Sequence, residues 1–157
     1  MLTKNGKTLF TQSLNSNGQA NDRPFKNTAG TSISTGSFGW GTGKNIMNLM
    51  TGMNIVVGSG TTEPTADDYV MEQQINSLTV VQSSNSGNRS MNYNDGYIYA
   101  LARTFKNNTS DPITISEVGV YSQSLPNNLG VVMYAREVIA PVTIQPDHTY
   151  TFSMTIG

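Results

Sequence analysis

Glu63, Asp67, Asp68 and Glu72 fall within one ten-residue stretch. Carboxylates at this density can hold a hard cation or share acid–base work in hydrolysis. The alternating oxygen ligands of an EF-hand loop are absent, and the competing role is electrostatic: Asp67 and Asp68 favour the N-terminus of a short helix. His148 is the single histidine, so any Ser–His–Asp triad would have to use it. It follows Pro146-Asp147, in a predicted turn, and no serine sits in a Gly-x-Ser-x-Gly elbow. Gly39-Trp40-Gly41-Thr42-Gly43-Lys44-Asn45 superficially resembles a phosphate-binding loop. Phe38 stands where that loop needs its first glycine, and Asn45 where it needs Ser or Thr for magnesium. Glu117 interrupts an apolar pattern of Ile113, Ile115 and Val118. A charge there needs solvent or a partner, and Arg103 and Arg136, on neighbouring predicted strands, offer a cross-strand ion pair of structural rather than catalytic kind. Tyr93, Tyr97, Tyr99 and Tyr121 could stack on sugars, or pack across strands inside a sheet.

Composition narrows these choices. In 157 residues, charged side chains make up 12% and net charge is −1. That leaves no basic excess to neutralise phosphates, so no nucleic-acid partner is expected. Cysteine is absent, which excludes disulfides, thiol nucleophiles and cysteine metal sites, and a single histidine excludes a multi-histidine metal centre. No cofactor is expected. No run of about 18 apolar residues offers a membrane span. The chain instead carries 19 Thr, 16 Ser, 17 Asn and 15 Gly, a balance suited to strands joined by many tight turns.

The elements that must position these residues follow from patterning. Residues 1–44 read as an extended polar N-terminal arm and Gly-rich connector, with one short strand possible over Lys7–Leu14 and with Phe38 and Trp40 as packing anchors; residues 45–157 read as the folded domain. Met53–Val57 is an apolar strand closed by Gly58-Ser59-Gly60. Thr65 followed by Asp68 resembles a capping box and predicts a short helix over 66–72. Strands are predicted over 75–81, 97–105, 113–121 with a bulge near Gly119, 131–139, a short edge segment over 141–144, and 149–156. In the last, Tyr150, Phe152, Met154 and Ile156 alternate with Thr149, Thr151, Ser153 and Thr155. Residues 82–94 read as a polar loop. The fold class is all-β: an antiparallel β-sandwich or jelly-roll-like domain with one short helix and an extended arm.

Four segments occur in a fixed order: Val56–Tyr69 (VVGSGTTEPTADDY), Arg103–Thr109 (RTFKNNT), Ile113–Tyr121 (ITISEVGVY), and Ala135–Pro146 (AREVIAPVTIQP) leading to Tyr150-Thr151-Phe152. This series resembles a β-sandwich module of tailed-bacteriophage structural proteins, found among small head-decoration, head-fibre and tail-associated subunits. The resemblance covers about residues 54–157 and carries over no catalytic residue. It implies a non-enzymatic virion protein, a capsid decoration, auxiliary or head-fibre subunit. Its partners would be the major capsid protein or portal and tail subunits, in a homo-oligomer with a trimer favoured. The absence of a visible signal peptide sets the expectation of assembly in the bacterial cytoplasm. The alternative reading is a tail or fibre-tip module that binds a host-surface glycan through its tyrosines and the 83–94 loop. Thr65, Asp68, Arg103, Glu117, Gly119 and Arg136 are the expected structural residues; Phe38, Trp40 and Tyr93 are the expected interface.

Overall fold

The structure, a computed structural model, describes residues 25–33, 52–84, 91–92, 96–97, 99–122 and 130–156. They form an all-β, sandwich-like fold of two three-stranded antiparallel sheets with two short two-stranded ribbons. The ribbons pair β1 (Phe25–Lys26) with β2 (Ser32–Ile33), and β5 (Met91–Asn92) with β6 (Gly96–Tyr97). The first sheet has the order β3 (Asn54–Gly58), β8 (Ile113–Tyr121), β9 (Met133–Ile144). The second has the order β10 (Thr149–Ile156), β7 (Tyr99–Lys106), β4 (Thr79–Ser84).

Both sheets turn an apolar face inward. Ile55, Val57, Ile115, Val118, Val120 and Ile144 come from the first; Leu101, Phe105 and Phe152 come from the second. Burying each such side chain contributes about 1.5–3 kcal/mol, and Phe105 and Phe152 add an edge-to-face contact with centroids 6.1 Å apart. The chain crosses between sheets after β3, β7 and β9. Asn107, fully buried, ties the last two crossings together. Its amide donates to the carbonyls of Asp111 (2.8 Å) and Ile144 (2.9 Å). Its side-chain oxygen accepts from the N–H and hydroxyl of Thr109, while its backbone bonds to His148 and Asp147.

Strand β8 spans 113–121 as the sequence predicts, and its pairing with β9 is irregular near Gly119. Gly119 pairs in register with Arg136, and the register shifts between Ile115 and Glu117 and again between Val120 and Tyr121. At the first shift β8 advances from Ile115 to Glu117 while β9 advances from Val142 to Val138. Pro141 sits in that stretch, so β9 runs unbroken where a strand end and a separate edge segment are expected; an edge strand tolerates proline where no ladder bond is required of its nitrogen. Strand β4 begins at Thr79 rather than Ile75 and runs on to Ser84, into the expected loop. Tyr150 is expected inward, yet it is 43% exposed, because it lies near the start of an edge strand.

Two further expectations change. Residues 66–72 form no helix: the backbone makes a turn at Ala66-Asp67 and then bends at Val70 and Glu72. Residues 25–33, assigned to the arm by their polarity, form a hairpin docked on the sandwich. The Asn27 carboxamide oxygen accepts from the N–H groups of Ala29 and Thr31, Thr28 N–H bonds to the Val131 carbonyl at 2.8 Å, and Lys26 lies over the Tyr69 ring. Ile33 is buried in the main core.

Candidate functional site

The outer face of β8 is covered, and what covers it is the segment from Gly58 to Ile75. This segment leaves β3 and returns along its edge. Ser59 N–H bonds to the Gln73 carbonyl, Ile75 N–H bonds to the Val57 carbonyl, and Gly58 bridges to Gln74. The result is a strap of non-repetitive backbone, whose N–H groups must be satisfied without a ladder. Glu117 supplies the acceptors. Its side chain is wholly buried, and its two oxygens take four hydrogen bonds. Oε1 accepts from Glu72 N–H at 2.9 Å and from the Arg136 Nε–H. Oε2 accepts from the N–H groups of Gly60 and Gln73, each at 3.3 Å.

Arg136 completes the network from β9. Its Nη1 donates to Asp68 Oδ2 at 2.6 Å, and its Nη2 donates to the Thr62 carbonyl at 3.0 Å and to Glu72 Oε2 at 3.4 Å. One guanidinium thus holds three carboxylates, two of them on the strap, in the planar fork geometry that suits Arg rather than Lys. Glu72 closes the strap on itself, accepting from the N–H groups of Thr61 and Thr62 and from the Thr62 hydroxyl, each at 2.9 Å. Asp68 accepts from the Thr65 N–H and hydroxyl. This is half of the expected capping box: the carboxylate reaches back, but the Thr65 hydroxyl bonds the carboxylate and not the Asp68 N–H. Asp68 is drawn toward Arg136, and the turn ends there.

Protonation follows this geometry. Burial pushes the Asp68 carboxyl up, but the Thr65 hydroxyl and N–H and the Arg136 charge outweigh it and leave Asp68 below its ordinary value. The Thr62 N–H, the Thr62 hydroxyl and the Thr61 N–H, with the Arg136 charge, hold Glu72 low despite some desolvation. Burial would lower Arg136, yet its bonds to Glu117 and Asp68 raise it.

Three glycines make the strap's approach possible, the first being Gly58, where a side chain would meet Glu117 Oε2 and the Gln73 carbonyl. A side chain at Gly60 would meet Glu72 Cβ at 2.6 Å and Glu117 Oε2 at 2.7 Å. One at Gly119 would meet Met71 Sδ at 2.5 Å. Gly119 therefore seats Met71, between the two register shifts of β8 and β9. Tyr121 adds a further tie, its hydroxyl accepting from Met71 N–H at 2.8 Å, and Ser116 donates to the Gly60 carbonyl.

The remaining candidates separate. Arg103 lies in the second sheet, away from Glu117, and donates from Nη1 to the Ile55 carbonyl of the facing sheet at 2.7 Å. Glu63 and Asp67 are exposed on the strap. His148 stands in an exposed turn, its Nδ1 2.8 Å from the Pro146 carbonyl oxygen. Tyr121 is 8% exposed and anchors the strap, so its ring is not open to a sugar. Phe38, Trp40 and Tyr93 lie outside the described residues. Among the described residues, no group of three His, Cys, Asp or Glu is arranged to hold a metal ion. Asn107, Glu72 and Ser116 were not expected to organise the fold. The only signal for Glu72 is its place nine residues after Glu63 in the polar stretch that becomes the strap.

No family model, no curated protein and no solved structure matches this chain.

Proposed function

We propose that the chain is a non-enzymatic structural subunit of a bacteriophage virion, a capsid decoration, auxiliary or head-fibre protein that binds and stabilises the capsid surface. The observation that carries this reading is where the four resembling segments fall. VVGSGTTEPTADDY is β3 and the strap, ITISEVGVY is β8, and AREVIAPVTIQP is β9; together they supply Glu117, Arg136 and Asp68 to one ion network. RTFKNNT supplies β7 and the Asn107 tie. The shared residues are thus fasteners, spent on holding loops to sheets. A subunit that must present a fixed surface to its neighbours gains from such fastening.

The crossings between sheets also support a jelly-roll-like course of strands. In this reading, the subunit assembles in the host cytoplasm as a homo-oligomer and binds the major capsid protein, or portal and tail subunits. The hairpin over 25–33 belongs to the sandwich. The test is co-sedimentation of the purified protein with purified capsid shells. Saturable binding at near-stoichiometric copy number is the expected result. No binding to heads, or binding to tails alone, overturns the decoration role.

A further inference from the structure

An unpaired strand edge is a template for another chain, and proteins blunt such edges with charge, proline, bulges or covering segments. Among the described residues, three of the four outer edges of the two three-stranded sheets are blunted. The strap's return covers part of β3. Strand β4 has a register shift between Val80 and Gln82. Strand β9 contains Glu137 and Pro141 and two register shifts. Strand β10 differs. Its sequence, TYTFSMTI, has no charge, proline or glycine, and it pairs with β7 over eight residues without a shift. Among the described residues, nothing pairs with its other side.

The same strand is self-complementary. Residues directly opposite in an antiparallel pair point to the same face, so only registers that match core face to core face extend the sheet. One such register sets Phe152 opposite the partner's Phe152, Tyr150 opposite the partner's Met154, Thr151 opposite the partner's Ser153, and Thr149 opposite the partner's Thr155. It would cover Tyr150, which is 43% exposed on the core side of the edge. It would also extend a hydroxyl pairing that β10 already makes with β7, where the Thr104 and Thr151 hydroxyls lie 2.8 Å apart. We propose that β10 pairs antiparallel with β10 of a second copy across a two-fold axis, joining two three-stranded sheets into one. The lack of charge favours a second copy over a charged partner. The period-two pattern favours it over Lys7–Leu14 of a neighbouring arm, in which Leu9 and Phe10 are adjacent and cannot share a face. A two-fold contact replaces the threefold arrangement expected from the resemblance. It stands apart from the virion reading, because self-pairing is measured without shells.

The experiment compares the full chain with a Thr151→Lys/Ser153→Lys variant by light scattering over a concentration series. Both positions are exposed, and the pairing sets like charges directly opposite. The expected result is a parent of twice the chain mass and a variant of half that, with unchanged circular dichroism and cooperative unfolding. Hydrogen exchange on the parent tests the same point without substitution: β10 amides should gain protection with concentration while residues 7–14 do not. A parent that is monomeric throughout, a trimer indifferent to the substitutions, or protection arising in residues 7–14 together with β10 overturns the proposal.

Discussion

Each sheet contributes one arginine to the interior, and the two are treated differently. Arg136 has all three guanidinium nitrogens bonded to Glu117, Asp68, Glu72 and the Thr62 carbonyl. Arg103 makes one bond, from Nη1 to the Ile55 carbonyl, lies over the Phe105 ring at 5.6 Å, and has a buried Nε without a hydrogen-bond partner. Burial alone pushes its pKa down. The difference comes from the strap. On the first sheet, irregular backbone brings N–H groups into a dry space and so requires acceptors, which in turn require a cation. The second sheet turns Thr104, Thr151, Ser153 and Thr155 outward, and no such demand arises on that face.

The sharpest way to break this contrast is to remove one member of the network. Glu117→Ala leaves the Arg136 Nε–H and three strap N–H groups without their acceptor, and should cost about 3–5 kcal/mol, the usual loss when one partner of a buried ion pair is deleted. Arg103→Met keeps an apolar stem in the core and gives up a single bond; it should cost about 1 kcal/mol. Urea denaturation of both variants measures the pair. Equal losses would mean that the strap network is no more than one more core contact.

Steric entry to the strap is the next lever. Gly119→Ala places a methyl group against Met71 Sδ and should cost about 1–3 kcal/mol by overpacking. Adding Met71→Ala should recover part of that loss, since residues in contact are non-additive. Full additivity in thermal melts would show that Gly119 does not serve Met71.

Acid should act on the strap before it acts on the second sheet. Asp68 and Glu72 titrate below their ordinary values, so the unfolded chain binds more protons than the folded one as pH falls. Their contribution is therefore present above the ordinary carboxylate range, about pH 4, and is lost as pH drops through the lowered values. Hydrogen-exchange protection factors at Gly60, Thr61, Thr62, Glu72 and Gln73 should fall over that range while those of β7 hold. Loss in both places at the same pH would deny the strap its separate response.

Strands are legible in the sequence where periodicity is local. TYTFSMTI alternates because one side of β10 meets the core and the other meets solvent, and β8 begins and ends where its apolar run does. They are not legible where tertiary contacts override the pattern. β8 is buried from Ile115 to Tyr121 on both faces, so its alternation is lost to burial as well as to the register shifts that flank Gly119. Thr65 and Asp68 carry a helix-start signal, yet Arg136, 68 positions from Asp68 in sequence, sets the direction of that carboxylate. Glu117 was legible as a charge in need of a partner. Which arginine answers it depends on sheet assignment, and patterning alone does not distinguish β7 from β9. Asn107 sat within a turn signal, but its four side-chain bonds arise only when two crossings meet.

The smallest expected effect decides whether the contrast belongs to the sheets or to the strap. Both sheets carry an exposed cross-strand hydroxyl pair: Thr104 with Thr151 at 2.8 Å in the second, and Thr114 with Thr143 at 2.9 Å in the first. Such pairs contribute roughly 0.2–1 kcal/mol. Thr104→Ala and Thr114→Ala should therefore cost the same small amount in matched urea titrations, although Thr114 stands only three residues from Glu117. If Thr114→Ala costs several times more, the first sheet is intrinsically the stiffer one and the strap merely rests on it. If the two agree, the sheets are equivalent frames, and the stability unique to β8 comes from the acceptors that Glu117 offers to the backbone above it.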